Sequence, residues 1–341
     1  MINLKDLKLN EMEEFVKTLG EPKFRAGQIF SWMYKGITSF DEMNNVPKNL
    51  KSKLKETASL GVLTPLEVQV SKLDGTRKYL FGLEDGNAIE SVFMKYKYGN
   101  SICVSSQAGC RMGCAFCASG MDGLRRSLTP GEILGQILAA EKDTGEKINH
   151  VVVMGTGEPF DNYENLSKFI EIIHDSKGIN LSLRNITVST CGLVPAIERF
   201  AEDFPQVNLA ISLHAPNNEI RNSMMPVNKA YPMEVLIDGC RKYVEKTSRR
   251  VTFEYTLVKG VNDSLKHAEE LADRLKGLLC HVNLIPLNKV EETGLDTTGR
   301  RDAESFRNYL EKRGIPATIR RELGDDIDGA CGQLRLKKDK S

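Results

Sequence analysis

Cys110, Cys114 and Cys117 lie in the run GCRMGCAFCASG, three thiols separated by three and then two residues. Thiolate sulfur is the usual ligand of iron–sulfur clusters, and a four-iron cluster takes four ligands, so a trio spaced this tightly leaves one iron for something other than the protein. The small residues around them, Gly109, Gly113, Ala115, Ala118 and Gly120, let the backbone wrap closely about a bulky group that large side chains would obstruct. Tetrahedral zinc also favours cysteine sulfur, with Cys103 or a distant thiol as the fourth ligand of a zinc knuckle. Zinc sites more often come as two pairs, and the chain has no second Cys-x-x-Cys and no histidine pair.

The chain holds eight cysteines in 341 residues. No apolar run approaches the ~20 residues of a membrane span, and the start, MINLKDLKLNEMEEF, lacks the apolar segment of a secretory signal, so the expected location is the cytoplasm. Thiols stay reduced there, which argues against a disulfide framework and puts the meaning in the spacing. Hydrophobic residues at 40% and charged residues at 27% suit a soluble globular protein with a sizeable core. The net charge of +1 neither demands nor forbids a nucleic-acid partner, whose basic footprint would have to be local. Cys191, Cys240 and Cys280 read as core packing.

The elements that position the triplet follow from periodicity. Three helix-like stretches, roughly 10–19, 25–34 and 40–59, are broken by Gly20-Glu21-Pro22, Gly36 and the Pro47 turn. Short β-prone pieces follow, VQVSKL, KYLFGL and AIESVFMKY, separated by Asp74-Gly75 and Asp85-Gly86; they predict a small antiparallel extension. Beyond it a unit of apolar strand, loop and amphipathic helix recurs six times, with strands near 102–105, 150–154, 185–189, 208–212, 251–257 and 281–285. Six βα units predict a parallel, barrel-like sheet, and a further β-prone piece lies at 317–322. Barrel enzymes place their chemistry at the carboxyl ends of the strands, and the cysteine loop follows the first of them.

A Cys-x-x-x-Cys-x-x-Cys loop in that position resembles the radical SAM superfamily, in which the open iron chelates the amino and carboxylate groups of S-adenosylmethionine (SAM). The segments CVSSQAGCRMGCAFCASG, MGTGEP, SLHAPN, VNLIPLN and GDDIDGACGQL together resemble the RlmN family of adenine carbon-2 methyltransferases, over nearly the whole chain. The resemblance implies an α/β fold, a partial (βα)6 TIM-like radical SAM barrel with a small N-terminal helical domain. Residues 1–62 would be the helical accessory domain, 63–95 the β extension, 96–325 the core barrel and 326–341 a tail. It also implies a [4Fe-4S] cluster on Cys110, Cys114 and Cys117. SAM would be gripped by Gly157 and Glu158 of the GTGEP loop, with Ser189, Ser212, Leu213, His214 and Asn288 as further contacts.

The same resemblance makes Cys331 the methyl carrier. One SAM alkylates its thiol; a second yields a deoxyadenosyl radical that removes hydrogen from the S-methyl group, and the methylene radical adds to the base. A two-stage route has a chemical reason, because the methyl of SAM is an electrophile and carbon 2 of adenine is electron-poor. Cys103 matches the resolving cysteine that attacks Cys331 to form a transient disulfide, and Glu90 in AIESVF matches the proton acceptor. On residues alone Cys103 would be core packing and Glu90 a solvated strand residue.

The implied partners are 23S rRNA and tRNA, at the adenosine 3′ to the anticodon, and a flavodoxin or ferredoxin as electron donor to a monomeric enzyme. Basic pairs such as Arg125-Arg126, Arg249-Arg250, Arg300-Arg301 and Arg320-Arg321, with the Lys337-Lys338 tail, could neutralise phosphates around the barrel mouth. Lys289 stands where relatives often carry proline, and Gly329 where alanine is common. The rival readings are Cfr-type carbon-8 methylation of the same rRNA adenosine, which the proline of GTGEP disfavours, a zinc-containing RNA-binding module, and an electron carrier. Protein purified without oxygen is expected to be brown with about four irons per chain; colourless, zinc-containing protein would favour the binding module.

Overall fold

The computed structural model describes residues 1–287, 294–321 and 323–327. Near the amino end, β1 (Ile2–Asn3) pairs in parallel with β2 (Ala58–Ser59) and so ties the two ends of a helical unit together. Between them run α1 (Leu9–Thr18), α2 (Phe24–Met33) and α3 (Lys48–Thr57). Met12, Phe15, Val16, Ile29, Phe30, Met33, Leu50 and Leu54 form a core of their own. The single helix-like stretch expected over 40–59 is split: a 3-10 turn at Phe40–Glu42 precedes α3, which begins after Pro47, where proline can lead into a helix but not continue one.

The rest of the described chain is built on one ten-stranded sheet. Three strands, β3 (Thr64–Val70), β4 (Arg77–Gly82) and β5 (Ala88–Tyr96), form an antiparallel meander, and β5 pairs antiparallel with β6 (Gly99–Cys103). The expected extension is therefore continuous with the main sheet. A short hairpin, β7 (Gln107–Gly109) with β8 (Leu124–Ser127), carries the cysteine loop at its tip. Then come α4 (Pro130–Thr144), β9 (His150–Val153), α5 (Tyr163–His174), β10 (Ile186–Thr190), α6 (Val194–Asp203), β11 (Asn208–Ser212), α7 (Asn218–Met224) and α8 (Met233–Thr247). The chain continues through β12 (Val251–Leu257), α9 (Leu265–Leu275), β13 (Cys280–Pro286), α10 (Arg300–Lys312) and β14 (Ala317–Ile319). From β6 through β9 to β14 every neighbouring pair is parallel. The β-prone piece beyond the sixth unit thus becomes a seventh parallel strand, and β3 and β14 are the two edges of an open barrel.

Side-chain alternation sorts the strands into two faces. Ile102, Val151, Val153, Ile186, Val188, Leu209, Ile211, Phe253, Tyr255, Val282 and Leu284 enter the large core shared with the helices. The residues between them, including Cys103, Val152, Ser189, Ser212, Glu254 and Asn283, face the other way, which accounts for polar residues inside strands otherwise apolar enough for a buried parallel sheet. Among the described residues no helix is long and apolar enough to cross a membrane.

Helix α4 fixes the hairpin base to this scaffold. Thr129 and Glu132 form a capping box at its start, Pro130 occupies its first turn, and Gly145 ends it in the left-handed conformation. Its fully buried Gln136 accepts hydrogen bonds from Ser91 Oγ (2.6 Å) and Ser105 N (2.8 Å) and donates to Ser105 O (2.9 Å). Gln136→Leu fills the space but strands three polar groups, each worth about 1–3 kcal/mol when buried without a partner. Denaturant titration is expected to show a loss of stability of at least this order, and an unchanged midpoint would contradict the assignment.

Candidate active site

The loop joining β7 to β8 has little regular structure of its own, so its neighbours hold it. Cys110 N donates to Gly123 O (3.0 Å), Cys117 N to Cys114 O (3.1 Å), and Ala115 N to Met224 O at the end of α7 (2.9 Å). Gly109, at φ +78°, lies so close to the returning chain that a Cβ there would sit 2.1 Å from Gly123 O, and Gly113 is also left-handed. Met112, Cys114 and Phe116 pack against Cys191, Met224 and Met225. None of the three thiols is in a disulfide, and the charges of Cys110, Cys114 and Cys117 act on one another. Burial pushes the Cys110 thiol up to about 11 and Cys114 higher still. Metal binding would therefore have to displace their protons. Among the described residues no three His, Cys, Asp or Glu side chains meet closely enough to hold a single ion. Thiolates on separate irons of a cluster need no such convergence, so the donor set fits an iron–sulfur group.

The GTGEP loop after β9 is stitched to the segment after β6. Gly155 N donates to Val104 O (3.0 Å), Thr156 N to Ser105 Oγ (2.9 Å), Ser106 N and Gln107 N to Thr156 O (2.9 and 3.1 Å), and Glu158 N to Gln107 Oε1 (2.9 Å). Gly157, at φ +110°, would set a Cβ 2.6 Å from the Gln107 side chain, so no other residue fits. Glu158 is buried and its pKa is raised by that burial. Its two oxygens accept from Phe160 N (3.0 Å) and Cys191 N (2.7 Å), so the carboxylate also joins the loops after β9 and β10.

Ser189 and Ser212 place their hydroxyls 3.4 Å apart at the carboxyl ends of β10 and β11. Leu213 is fully buried just beyond. His214 adopts a left-handed φ of +55°, an uncommon conformation outside glycine that histidine tolerates better than most. Its Nδ1 accepts from Thr256 N (2.9 Å), which leaves the proton of the neutral ring on Nε2, and its ring meets Phe116 of the cysteine loop edge-on at 4.7 Å. Asn288 and Cys331 lie outside the described residues.

Cys103, at the end of β6, stands opposite Val92 of β5. It packs with Val92, Met94, Val152, Met154 and Leu323. Glu90 shares this face two residues along β5. Far from being solvated, as its residue type suggests, it is 3% exposed and lies 2.8 Å from the Nζ of the equally buried Lys78. The chain beyond β14 crosses to the same neighbourhood. Gly324 N donates to Asp74 (2.9 Å), while Asp326 accepts from Ser71 Oγ (2.5 Å) and Lys72 N (2.8 Å).

Several residues here escaped the sequence reading. Gln107 sits inside a motif run but carries no role of its own; Lys78 looks like a strand-surface lysine. Arg221 reads as an exposed residue of a short helix, yet it is fully buried and donates to Cys191 O (2.6 Å), Ser212 O (3.3 Å), Leu213 O (3.2 Å) and Asn228 Oδ1 (3.0 Å). Glu254 stands beside Ser212 in register, is buried with its pKa raised, and accepts from Asn283 Nδ2 (2.8 Å). Its signal was available: a carboxylate between apolar neighbours in VTFEYTL faces the barrel interior.

An open parallel barrel with a three-cysteine loop after its first strand defines a radical SAM enzyme. Residues 104–275 match the Radical SAM superfamily, and residues 2–60 match the Ribosomal RNA large subunit methyltransferase N-terminal domain. A protein of Lachnospira eligens named "Probable dual-specificity RNA methyltransferase RlmN" is 55% identical over 99% of this chain and 97% of its own length. A protein of the same name from Clostridium novyi is 54% identical over 98% of each. The crystal structure of a radical SAM methyltransferase from Sphaerobacter thermophilus superposes with a TM-score of 0.94 at 48% identity, covering 98% of this chain and 99% of that one. The chain belongs to the RlmN family.

Burial and the nearby Arg221 charge hold the His214 imidazole down to about 3, against 6.5 in the unfolded chain. Between these values the unfolded state binds the extra proton, so the stability that neutral His214 supplies is complete above about pH 6.5 and drains away as pH falls toward 3. Lowering the pH from 7.5 to 5.5 is expected to cost the wild type about 1.4 kcal/mol through this group. His214→Asn, which keeps an acceptor for the Thr256 N–H, should lack that component. Urea midpoints at the two pH values for both proteins measure it, and equal pH slopes would refute the assignment.

Proposed function

We propose that this chain methylates carbon 2 of an adenosine in 23S rRNA, and of the adenosine 3′ to the anticodon in tRNA, through a methylated cysteine and with two SAM molecules per turnover. The observation that carries the reading is a juxtaposition along one short stretch. Cys103 ends β6 on the barrel's inner face, and the cysteine loop opens seven residues later at the mouth. Family membership at 55% identity over almost the full length supports it.

Cys110, Cys114 and Cys117 would hold a [4Fe-4S] cluster with SAM on its open iron, a pair that when bound supplies the electron and the reductive cleavage from which the radical chemistry starts. The protein's own residues position and protect. Gly157 lets backbone approach where any side chain would intrude, and Glu158 orders the loop that meets the SAM amino group. Ser189, Ser212, Leu213, His214 and Asn288 contribute the remaining SAM contacts. His214, fixed as a neutral ring, offers Nε2–H as a donor and braces Phe116 of the cysteine loop.

In this reading Cys331 carries the methyl group, Cys103 releases the tethered base by attacking Cys331, and Glu90 accepts the proton from carbon 2. The ion pair with Lys78 holds the Glu90 carboxylate on the Cys103 face. The strap at residues 323–327 brings the chain to that face a few residues before Cys331. Residues 1–62 act as an accessory domain and 326–341 as the tail that delivers the thiol. A flavodoxin or ferredoxin supplies electrons, and the enzyme acts as a monomer. The target base must leave its stack to reach a buried site.

Mass spectrometry of ribosomal and transfer RNA, incubated with holoenzyme, SAM and a reductant, is expected to find 2-methyladenosine; 8-methyladenosine or unmodified RNA would reject the assignment. Cys331→Ala should transfer no methyl group, whereas Cys103→Ala should accumulate a covalent protein–RNA adduct.

A further inference from the structure

Arg221 is the largest fully buried side chain among the described residues. Among the described residues all its hydrogen bonds go to neutral acceptors: the carbonyls of Cys191, Ser212 and Leu213, and the Asn228 amide oxygen. A guanidinium withdrawn from water without a carboxylate beside it is expensive to keep, since its charge is solvated only by fixed dipoles. Its surroundings show where the missing negative charge belongs. Helix α7, which carries Arg221, accepts the Ala115 N–H through its last residue, Met224 (2.9 Å). Met224 and Met225 pack on Met112, Cys114 and Phe116. The guanidinium interacts electrostatically with the Cys114 thiol. Glu158 acts on Cys110 and Cys114 with the opposite sign, but both of its oxygens are engaged by backbone N–H groups.

We infer that Arg221 is a positioning residue whose buried positive charge lies behind the cysteine loop to favour the reduced, more negative state of the cluster held there. Three thiolates on a four-iron cluster make an anion, and one electron from a low-potential donor adds another negative charge without a proton. A fixed cation in a site shielded from water lowers the energy of the charged product more than that of the reactant. The same four hydrogen bonds lock the loops after β10 and β11 in place, so the charge cannot swing away. Sequence proximity to His214 gives no hint of this, because the contact is made only when α7 folds back against the hairpin.

The inference rests on the proposed cluster, and the experiment keeps the two apart. Holoenzyme is titrated with dithionite and mediators, and the cluster is followed by visible absorption and electron paramagnetic resonance. Arg221→Gln removes the charge. Asn228→Asp leaves Arg221 in place and sets a carboxylate against Nη1, cancelling its field with a different packing defect. Arg221→Lys keeps the charge and loses part of the hydrogen bonding. Arg221→Gln is expected to make reduction at least tenfold less favourable, a fall of about 59 mV for one electron. Asn228→Asp should shift the potential the same way by less, and Arg221→Lys should stay close to wild type. If Arg221→Gln fails to fold, Asn228→Asp decides. Cluster-loaded variants with the wild-type potential would overturn the role of Arg221 while leaving the function intact. Wild-type protein that loads no iron would overturn the proposed function itself.

Discussion

The backbone of Cys191 lies between two buried ionisable side chains. Glu158 accepts its N–H, and Arg221 donates to its carbonyl. Loops at the carboxyl ends of parallel strands cannot continue the sheet ladder, yet their polar groups lose water when cofactor and substrate sit above them, and each must find a partner. One carboxylate and one guanidinium meet much of that demand, joining the loops after β9, β10 and β11 to α7. Among the described residues neither has a directly opposed counter-charge, so the arrangement is costly in isolation. It is sustained because consecutive peptide units on either side of the Cys191 Cα each present their matching end to one of the two charges, and because the cysteine loop lies near both.

From that knot the geometry spreads through ordinary scaffold interactions. Gln136 of α4 holds Ser105 in place, and Ser105 Oγ in turn receives Thr156 of the GTGEP loop. Gln107 grips Glu158 N and Asp161. Asn162 donates to Ser106 O and Leu128 O. The segment between β6 and the cysteine loop is thus specified by side-chain amides that read backbone groups. Small shifts in any of them would be felt at the thiols, because little else orders the loop.

The inner face of β4, β5 and β6 forms a second centre. Lys78, Glu90, Val92 and Cys103 share it, and the strap that leads toward Cys331 docks where Asp74, Ser71 and Lys72 turn the chain between β3 and β4. Under the proposed function the antiparallel meander would be part of the site's wall. It extends the barrel past its first strand and supplies the buried ion pair that a parallel strand with helices on one face would not have offered.

Much of this was legible in the residues. The cysteine spacing, the small residues that let the loop wrap closely and the strand–helix recurrence are local patterns, governed by backbone sterics and by one- or two-turn periodicities. Read through them, six parallel strands and the loop after the first could be placed. The 40–59 stretch was merged because apolar spacing carries across the Pro47 turn, and the β-prone piece at 317–322 was not counted among the six units because a Gly/Asp-rich stretch rather than a helix pattern follows it. Burial was not legible. Glu90 and Lys78 are ordinary polar strand residues until β4 and β5 bring them face to face, and Arg221 is an ordinary helix arginine until α7 packs under the cysteine loop. Chain-local patterns settled which elements form and where reactive sulfur stands. Only the packing of distant segments decided which charges lose their water and whom they must then bind, because desolvation depends on everything within reach in space and on almost nothing adjacent in the chain.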